Sequence, residues 1–334
     1  MQELRAGVIG LGVGERHLAA YNAIPGVTVK AICDIDPVRL QEVSARHDIP
    51  AAYLDYRDLI EDPEIDVISI CSHDDTHVEQ AVAGFRAGKH VMVEKPIALY
   101  REEAERLLRA QQDSGKRITT NVILRESPRF KEIRRLAQEG AFGDLFYLEG
   151  DYLHQILWKI TEGWRGKMDF YCVTYGGGIH LIDLMRWILG AEVREVCGMG
   201  NKILTRGSHF PHPDTLTHLL KFDNDVMAKT TTTFGPQRPQ MHRLNVFGSR
   251  MTFENDRPVG KIYHSDDPAA APDIVDTPYL SMEKGDLLPD FIDAIRNDRE
   301  PNVGAEDVFR VMDVCFACWQ SIEQRRTVDV AYMM

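Results

Sequence analysis

The run Ala6-Gly7-Val8-Ile9-Gly10-Leu11-Gly12-Val13-Gly14 decides the fold. A short apolar stretch breaks at Gly10 into a glycine cluster, and an amphipathic segment opens near Glu15, which is the order strand, tight turn, helix. Glycines suit that turn because the chain reverses sharply and its backbone can approach a pyrophosphate, which then rests on the N–H groups and positive end of the helix. The third glycine of G-x-G-x-x-G would fall at position 15, which is Glu; here it is displaced to Gly14. Such turns also use glycine for steric reasons alone, so the reading draws its strength from Asp34. That residue ends the second candidate strand, Val27–Cys33, about 20 residues beyond the cluster, where a carboxylate accepts hydrogen bonds from an adenosine ribose. The expected dinucleotide contacts are therefore Gly10, Gly12, Val13, Gly14 and Asp34. A carboxylate repels a ribose 2′-phosphate, so NAD is favoured. Arg39, one helical turn on, keeps NADP open as the alternative. Asp36 before Pro37 reads as a helix N-cap with proline at N1.

Outward from this run the same rhythm repeats. Val67–Cys71, Val91–Glu94 and Arg117–Val122 are further candidate strands separated by amphipathic helical segments, which predicts a parallel sheet covered on both faces. After about residue 122 the rhythm changes. Leu216, His218, Leu220 and Phe222 alternate with Thr217, Leu219 and Lys221, and Lys229–Phe234 and Arg243–Phe247 follow without intervening helices. That succession predicts an antiparallel sheet. Gly/Pro punctuation from 256 to 280 marks a surface loop. The fold expected is an α/β Rossmann domain over residues 1–122 and an α+β domain over 123–334 with a large, mainly antiparallel open sheet.

Composition agrees with two globular domains. The 334 residues carry 39 Lys+Arg against 51 Asp+Glu, a net charge of −12, with 44% hydrophobic residues. The acidic balance and the absence of a basic block interleaved with aromatics argue against nucleic acid. No stretch approaches the roughly 18 uncharged apolar residues of a membrane span, and the N-terminal residues resemble no signal peptide, so a cytoplasmic location is expected. The six cysteines are spread as buried reduced thiols are; Cys315 and Cys318 fall on an apolar helical stripe and read as core. His73 and His77 beside Asp74 and Asp75 read as a cofactor-side loop and helix cap. No metal site is expected.

Three motifs in order, Gly10 to His17, Glu94-Lys95-Pro96, and Gly176-Gly177-Gly178-Ile179-His180-Leu181-Ile182-Asp183, resemble the glucose–fructose oxidoreductase/inositol dehydrogenase (Gfo/Idh/MocA) family over most of the chain. The resemblance implies a six-stranded nucleotide domain and a hydride transfer between NAD(P) and a secondary hydroxyl of a sugar, polyol or sugar derivative. It further implies that Lys95 lies at the nicotinamide edge against the reacting hydroxyl, often preceding a cis proline, and that His180 is the general acid/base. The residue types agree: as hydride leaves an alcohol carbon a base must take the hydroxyl proton, and histidine titrates near neutrality. Ser72, His77, Glu94 and Lys95 complete the cofactor-side set.

Two departures stand out. The family's acidic residue four positions before the histidine is Gly176, leaving Tyr171, Tyr175 or Asp183 as possible helpers, and the loop after the fourth strand reads Ser72-His73-Asp74-Asp75-Thr76-His77. Substrate contacts are expected from Leu124–Arg129 and His154–Tyr175, with Lys95, Arg125, Trp164, Arg165, Tyr175, His180 and Asp183 as the residues involved. An NAD-dependent glycosidase using transient ring oxidation and a catalytically silent NAD-binding regulator are the rival functions. A homodimer or homotetramer formed through the open sheet face is expected.

Overall fold

The computed structural model describes residues 3–279 and 282–334. Of the described residues, the first unit holds 3–123 together with 283–310 and the last two. Its strands and helices alternate: β1 (Leu4–Ile9), α1 (Gly14–Ala23), β2 (Val27–Cys33), α2 (Pro37–His47), β3 (Ala51–Tyr53), α3 (Tyr56–Glu61), β4 (Val67–Ile70), α4 (His77–Arg86), β5 (His90–Val93), α5 (Arg101–Ser114) and β6 (Ile118–Thr120). The six strands form one parallel sheet in the order β3-β2-β1-β4-β5-β6. The order reverses between β1 and β4, and ligands bind at such a switch point, beyond the carboxyl ends of the strands. The six-stranded count agrees with the family resemblance. The residue pattern alone yielded five candidates, because β3 is a three-residue edge strand with no fully buried side chain.

The second unit comprises residues 124–282 and 311–332. It runs α6 (Pro128–Gln138), β7 (Leu145–Leu153), the single turn α7 (Trp158–Thr161), α8 (Ile179–Leu189), β8 (Val193–Asn201), β9 (Thr215–Phe222), β10 (Met227–Thr233), β11 (Met241–Gly248), β12 (Thr252–Glu254), β13 (Gly260–Tyr263) and β14 (Asp273–Val275). The stretch from 256 to 279, expected to be a plain loop, contains β13 and β14; position 280 lies outside the described residues. After α9 (Leu288–Arg296), which belongs to the first unit, α10 (Ala305–Gln324) and β15 (Val328–Asp329) complete the chain. These strands form a nine-stranded sheet in which the β7–β10 pair is parallel and the other adjacent strands are antiparallel.

One expectation is corrected. The second domain was drawn as everything from 123 to 334, yet residues 283–310 return to the first unit. The reason is burial: Leu288, Phe291 and Ile292 of α9 join Leu18 and Tyr21 of α1 in the core beneath the parallel sheet. Patterning shows that α9 is amphipathic, but not which apolar surface it covers.

In the second sheet the face carrying Leu216, His218 and Leu220 is buried, and α8 packs on that side through Gly150, whose missing side chain leaves room for Leu181 and Met185. The other face bears a polar ladder. Thr215 and Thr217 of β9 bond across to Thr233 and Thr231 of β10, and Lys229 reaches Asp151 at 2.9 Å. Cys315 and Cys318 are fully buried in α10 with their thiols pushed well up by that burial, as a core stripe requires. No helix among the described residues is long and apolar enough to cross a membrane.

Candidate active site in two parts

In the first unit the glycine turn is built around one left-handed residue. Gly10 adopts φ +83°, and a side chain there would lie 2.6 Å from the backbone of Cys71 and Ser72, so both conformation and space require glycine. Gly14 likewise lets α1 approach Val8 of β1. Gly12 is different: a Cβ on it would meet nothing within 4 Å. It lies open at the start of α1, and the residues of this turn are compatible with a pyrophosphate resting on the helix N-terminus. Asp34, half-buried at the tip of β2, accepts the Leu11 N–H at 2.7 Å and the Asp36 N–H at 2.9 Å, which fixes its carboxylate beside the turn. Asp36 caps α2 with Pro37 behind it, as expected.

Beyond β4 and β5 the remaining cofactor-side residues differ in exposure. The Ser72 hydroxyl donates to Gln80 at 2.7 Å and lies 2.9 Å from the Thr76 hydroxyl. His77 is wholly buried; its Nδ1 lies 2.8 Å from the Pro96 carbonyl and its Nε2 3.3 Å from that of Ser72. It thus ties the loop after β4 to the one after β5. Asp74–Thr76 form a 3₁₀ turn, and the Thr76 hydroxyl donates back to the His73 carbonyl instead of capping α4. The Lys95–Pro96 bond is cis, and Lys95 is half-buried.

Glu94 is held by residues far apart in the sequence. Its Oε1 accepts from Asn121 at 2.6 Å and lies 3.5 Å from His17 Nε2, while Oε2 accepts the Lys95 N–H at 3.2 Å. The fully buried His17, Ser69 and Tyr21 continue this network. Burial alone would push the Glu94 carboxyl up. The His17 hydrogen bond and the charges of Lys284 and Lys95 outweigh it and hold the group well below the usual carboxylate range. Glu94 is consequently an anion that fixes the backbone from which Lys95 projects.

In the second unit the chain enters α8 through a π-helical turn, Thr174–Gly178. Such turns are frequent at functional sites, and here three glycines let it pack closely. A side chain on Gly176 would meet the Tyr171 hydroxyl at 1.9 Å, on Gly177 the Tyr152 ring at 2.6 Å, and on Gly178 the Thr232 hydroxyl at 2.3 Å. The acidic residue of the resembling pattern has no room at 176, because the Tyr171 phenol stands where its Cβ would be.

The turn delivers His180, 4% exposed, to a set of aromatic side chains. Its ring stacks on Tyr152 of β7 with centroids 6.2 Å apart and planes at 19°, and meets His242 of β11 edge-on at 6.2 Å. His242 Nδ1 lies 3.0 Å from the Tyr279 hydroxyl, and His154 Nδ1 3.2 Å from that of Tyr152. Burial pushes the Tyr279 phenol up to about 12 and raises that of Tyr152 further, the latter opposed by the charge of Arg165. Arg165 itself lies over the rings of Trp164, at 4.1 Å, and Tyr171, at 5.7 Å. Trp164 and Arg165 are half-buried.

Four residues expected to meet substrate are engaged with other protein groups. Arg125 donates two hydrogen bonds to Asp183, at 2.8 and 2.6 Å, with both groups buried, so these charges are committed to each other. Tyr175 is turned into the core against Phe170 and Phe316, its phenol pushed well up by burial. Arg129, in the segment expected to set specificity, is fully buried and donates to Asn255 and to the carbonyls of Asp256, Pro258 and Thr277. His154 begins a segment expected to contact substrate, whereas Tyr152, His242 and Tyr279 were not anticipated. The one available signal was His242 at an inward position of an otherwise apolar strand pattern.

Comparison with known proteins now bears on these two sets. Residues 4–122 match the oxidoreductase family with an NAD-binding Rossmann fold, and residues 130–254 match the GFO/IDH/MocA C-terminal domain. The chain is 30% identical over 267 residues to the uncharacterized oxidoreductase YrbE of Bacillus subtilis, covering 77% of this chain and 75% of that protein. It is 26% identical to the myo-inositol 2-dehydrogenase of Thermotoga maritima across 98% of both. Among solved structures, a levoglucosan dehydrogenase in complex with NADH superposes with a TM-score of 0.88 at 22% identity over 99% of this chain and 100% of that one, a likeness of fold. The chain belongs to the Gfo/Idh/MocA oxidoreductase family. It is an NAD-dependent oxidoreductase built from a Rossmann domain and a mixed, mostly antiparallel sheet domain.

Proposed function

We propose that this enzyme moves a hydride between NAD and a secondary hydroxyl or ketone of a sugar, a polyol such as an inositol, or a sugar derivative. The observation that carries the reading is His180, a nearly buried imidazole stacked on Tyr152 at the head of α8, in a chain whose NAD-binding unit presents Lys95 just beyond β5. The inositol and levoglucosan dehydrogenases to which the chain is similar support the substrate class. Bound NAD supplies the hydride acceptor. Lys95, with Glu94 fixing its backbone, stabilises negative charge on the reacting oxygen, and His180 takes the hydroxyl proton. Tyr152 holds the His180 ring in plane, while Trp164 and Arg165 offer an aromatic face and a hydrogen-bond fork to a polyol. The polar ladder of the second sheet, with the exposed Leu219 and Met227 beside it, is the face through which we place a homodimer or homotetramer; light scattering at working concentration tests this, and a monomeric mass overturns it.

The test is a panel of inositols, aldoses, anhydrosugars and sugar acids with NAD, read by NADH absorbance. Stoichiometric NADH on at least one compound is expected, and Lys95→Ala lowers kcat/KM on it by about a thousandfold while NADH binding falls far less. Undiminished turnover by Lys95→Ala, or sugar released from glycosides without net NADH, overturns the reading.

A further inference from the structure

The residue that replaces the third glycine of the turn is tied into a cluster that the cofactor motif does not explain. Glu15, in the first turn of α1, faces the end of the neighbouring α2. One carboxylate oxygen accepts from Arg39 Nη2 at 2.7 Å; the other accepts from Arg46 and lies 3.1 Å from His47 Nε2. Its side chain is only 20% exposed, and these partners hold the carboxyl below its usual range against the opposing effect of burial. Arg39 is gripped a second time, because the same Nη2 donates to the Leu11 carbonyl at 2.9 Å. The Leu11 peptide is therefore clamped from both ends, its N–H by Asp34 and its C=O by Arg39. Leu11 belongs to the turn that receives the dinucleotide, and Asp34 stands where the adenosine ribose is read. Arg39 and Asp34 thus meet at the same residue of the turn, and Arg39 Nη2 is engaged there by the Leu11 carbonyl and by Glu15.

We propose that Glu15 enforces the choice of NAD over its 2′-phosphorylated form by holding Arg39 against the glycine turn. Asp34 repels the 2′-phosphate, and the Glu15 tether removes the guanidinium that would otherwise compensate. Neutralising Glu15 removes the charge that holds Arg39 and leaves it only neutral oxygen acceptors, so its positive charge becomes available beside the ribose, where a dianion gains much more than a hydroxyl does. The inference rests on the NAD site of the first unit and is independent of the substrate reading.

The experiment is calorimetric titration of the full chain with NADH and with NADPH. NADH binding by the wild-type protein is the control for the site itself, and its absence would remove both the site and this proposal. Glu15→Gln is expected to strengthen NADPH binding about tenfold while changing NADH by less than about threefold, and the gain should vanish at ~1 M salt. Glu15→Gln/Arg39→Gln should return NADPH to its wild-type weakness. Unchanged NADPH affinity in a natively folded Glu15→Gln, or a gain that survives in the double variant, overturns the proposal. Arg39→Gln alone gives a reading that does not need the Glu15 variant to fold: NADPH affinity stays as weak as before if the tether holds, whereas a further loss shows that Arg39 already reaches the phosphate and refutes it.

Discussion

Gly12 in the first unit and Gly177 in the second are both glycines of a motif, and they are glycines for opposite reasons. A side chain on Gly12 would meet nothing within 4 Å, while one on Gly177 would lie 2.6 Å from the Tyr152 ring. The first has no protein atom to avoid. The second lets a helix settle on a ring. The glycine turn of the nucleotide half is thus a shaped backbone, with the side-chain network of Glu94 beyond it. The half bearing His180 is a packed stack of rings in which each member fixes the next. Substitutions in the second should therefore register first as instability, and those in the first as lost binding.

The largest effect is expected at the buried pair beneath α8. Asp183→Asn leaves the Arg125 charge buried without its counter-ion and should lower stability by about 3–5 kcal/mol in urea unfolding; a loss under about 1 kcal/mol would mean that the second half tolerates substitution as an open cradle does. Next comes pH. Burial lowers the His218 imidazole from 6.5 to about 4. The folded value lies below the unfolded one, so the stabilisation is complete above about pH 6.5 and is lost as pH falls toward 4, by about 3 kcal/mol in all. His218→Phe should flatten that limb of the stability curve, and an unchanged slope would assign it to other groups.

Gly177→Ala should cost about 1–3 kcal/mol through overpacking and, by displacing Tyr152, reduce turnover more than NADH binding. Gly12→Ala should do the reverse, with stability within about 0.5 kcal/mol of wild type and NADH affinity down about tenfold. If thermal melting shows Gly12→Ala to be the less stable of the two, the contrast between the halves fails.

Legibility divides along the same line. Gly10, Gly12, Gly14, Asp34 and the Glu94-Lys95-Pro96 turn could be read in sequence because each sits at a strand end, and strand ends announce themselves by composition. The partners of Glu94 could not: Asn121 and His17 are separated from it by 27 and 77 positions, and only the sheet brings them together. In the second unit attention falls on His180 through the motif Gly176–Asp183 and the family it resembles. Its neighbours Tyr152 and His242 lie on adjacent antiparallel strands, directly across from each other, and strand pairing is a property of register that no local pattern encodes. Arg125 and Asp183 show the opposite failure. Charged residues near a motif look available for substrate until the fold shows that they neutralise each other.

The sequence by itself determined the two-part architecture and the dinucleotide turn, because periodicity and turn chemistry are local and survive without tertiary contacts; Lys95 and His180, on which the proposed chemistry rests, are implied by the resemblance to the family and not by any local pattern. Only the tertiary structure decided which charges are left to act. Ion pairing and burial depend on what lies across a sheet or beneath a helix, so Glu15 became the partner of Arg39, Asp183 that of Arg125, and Tyr175 a core residue through contacts set by the fold.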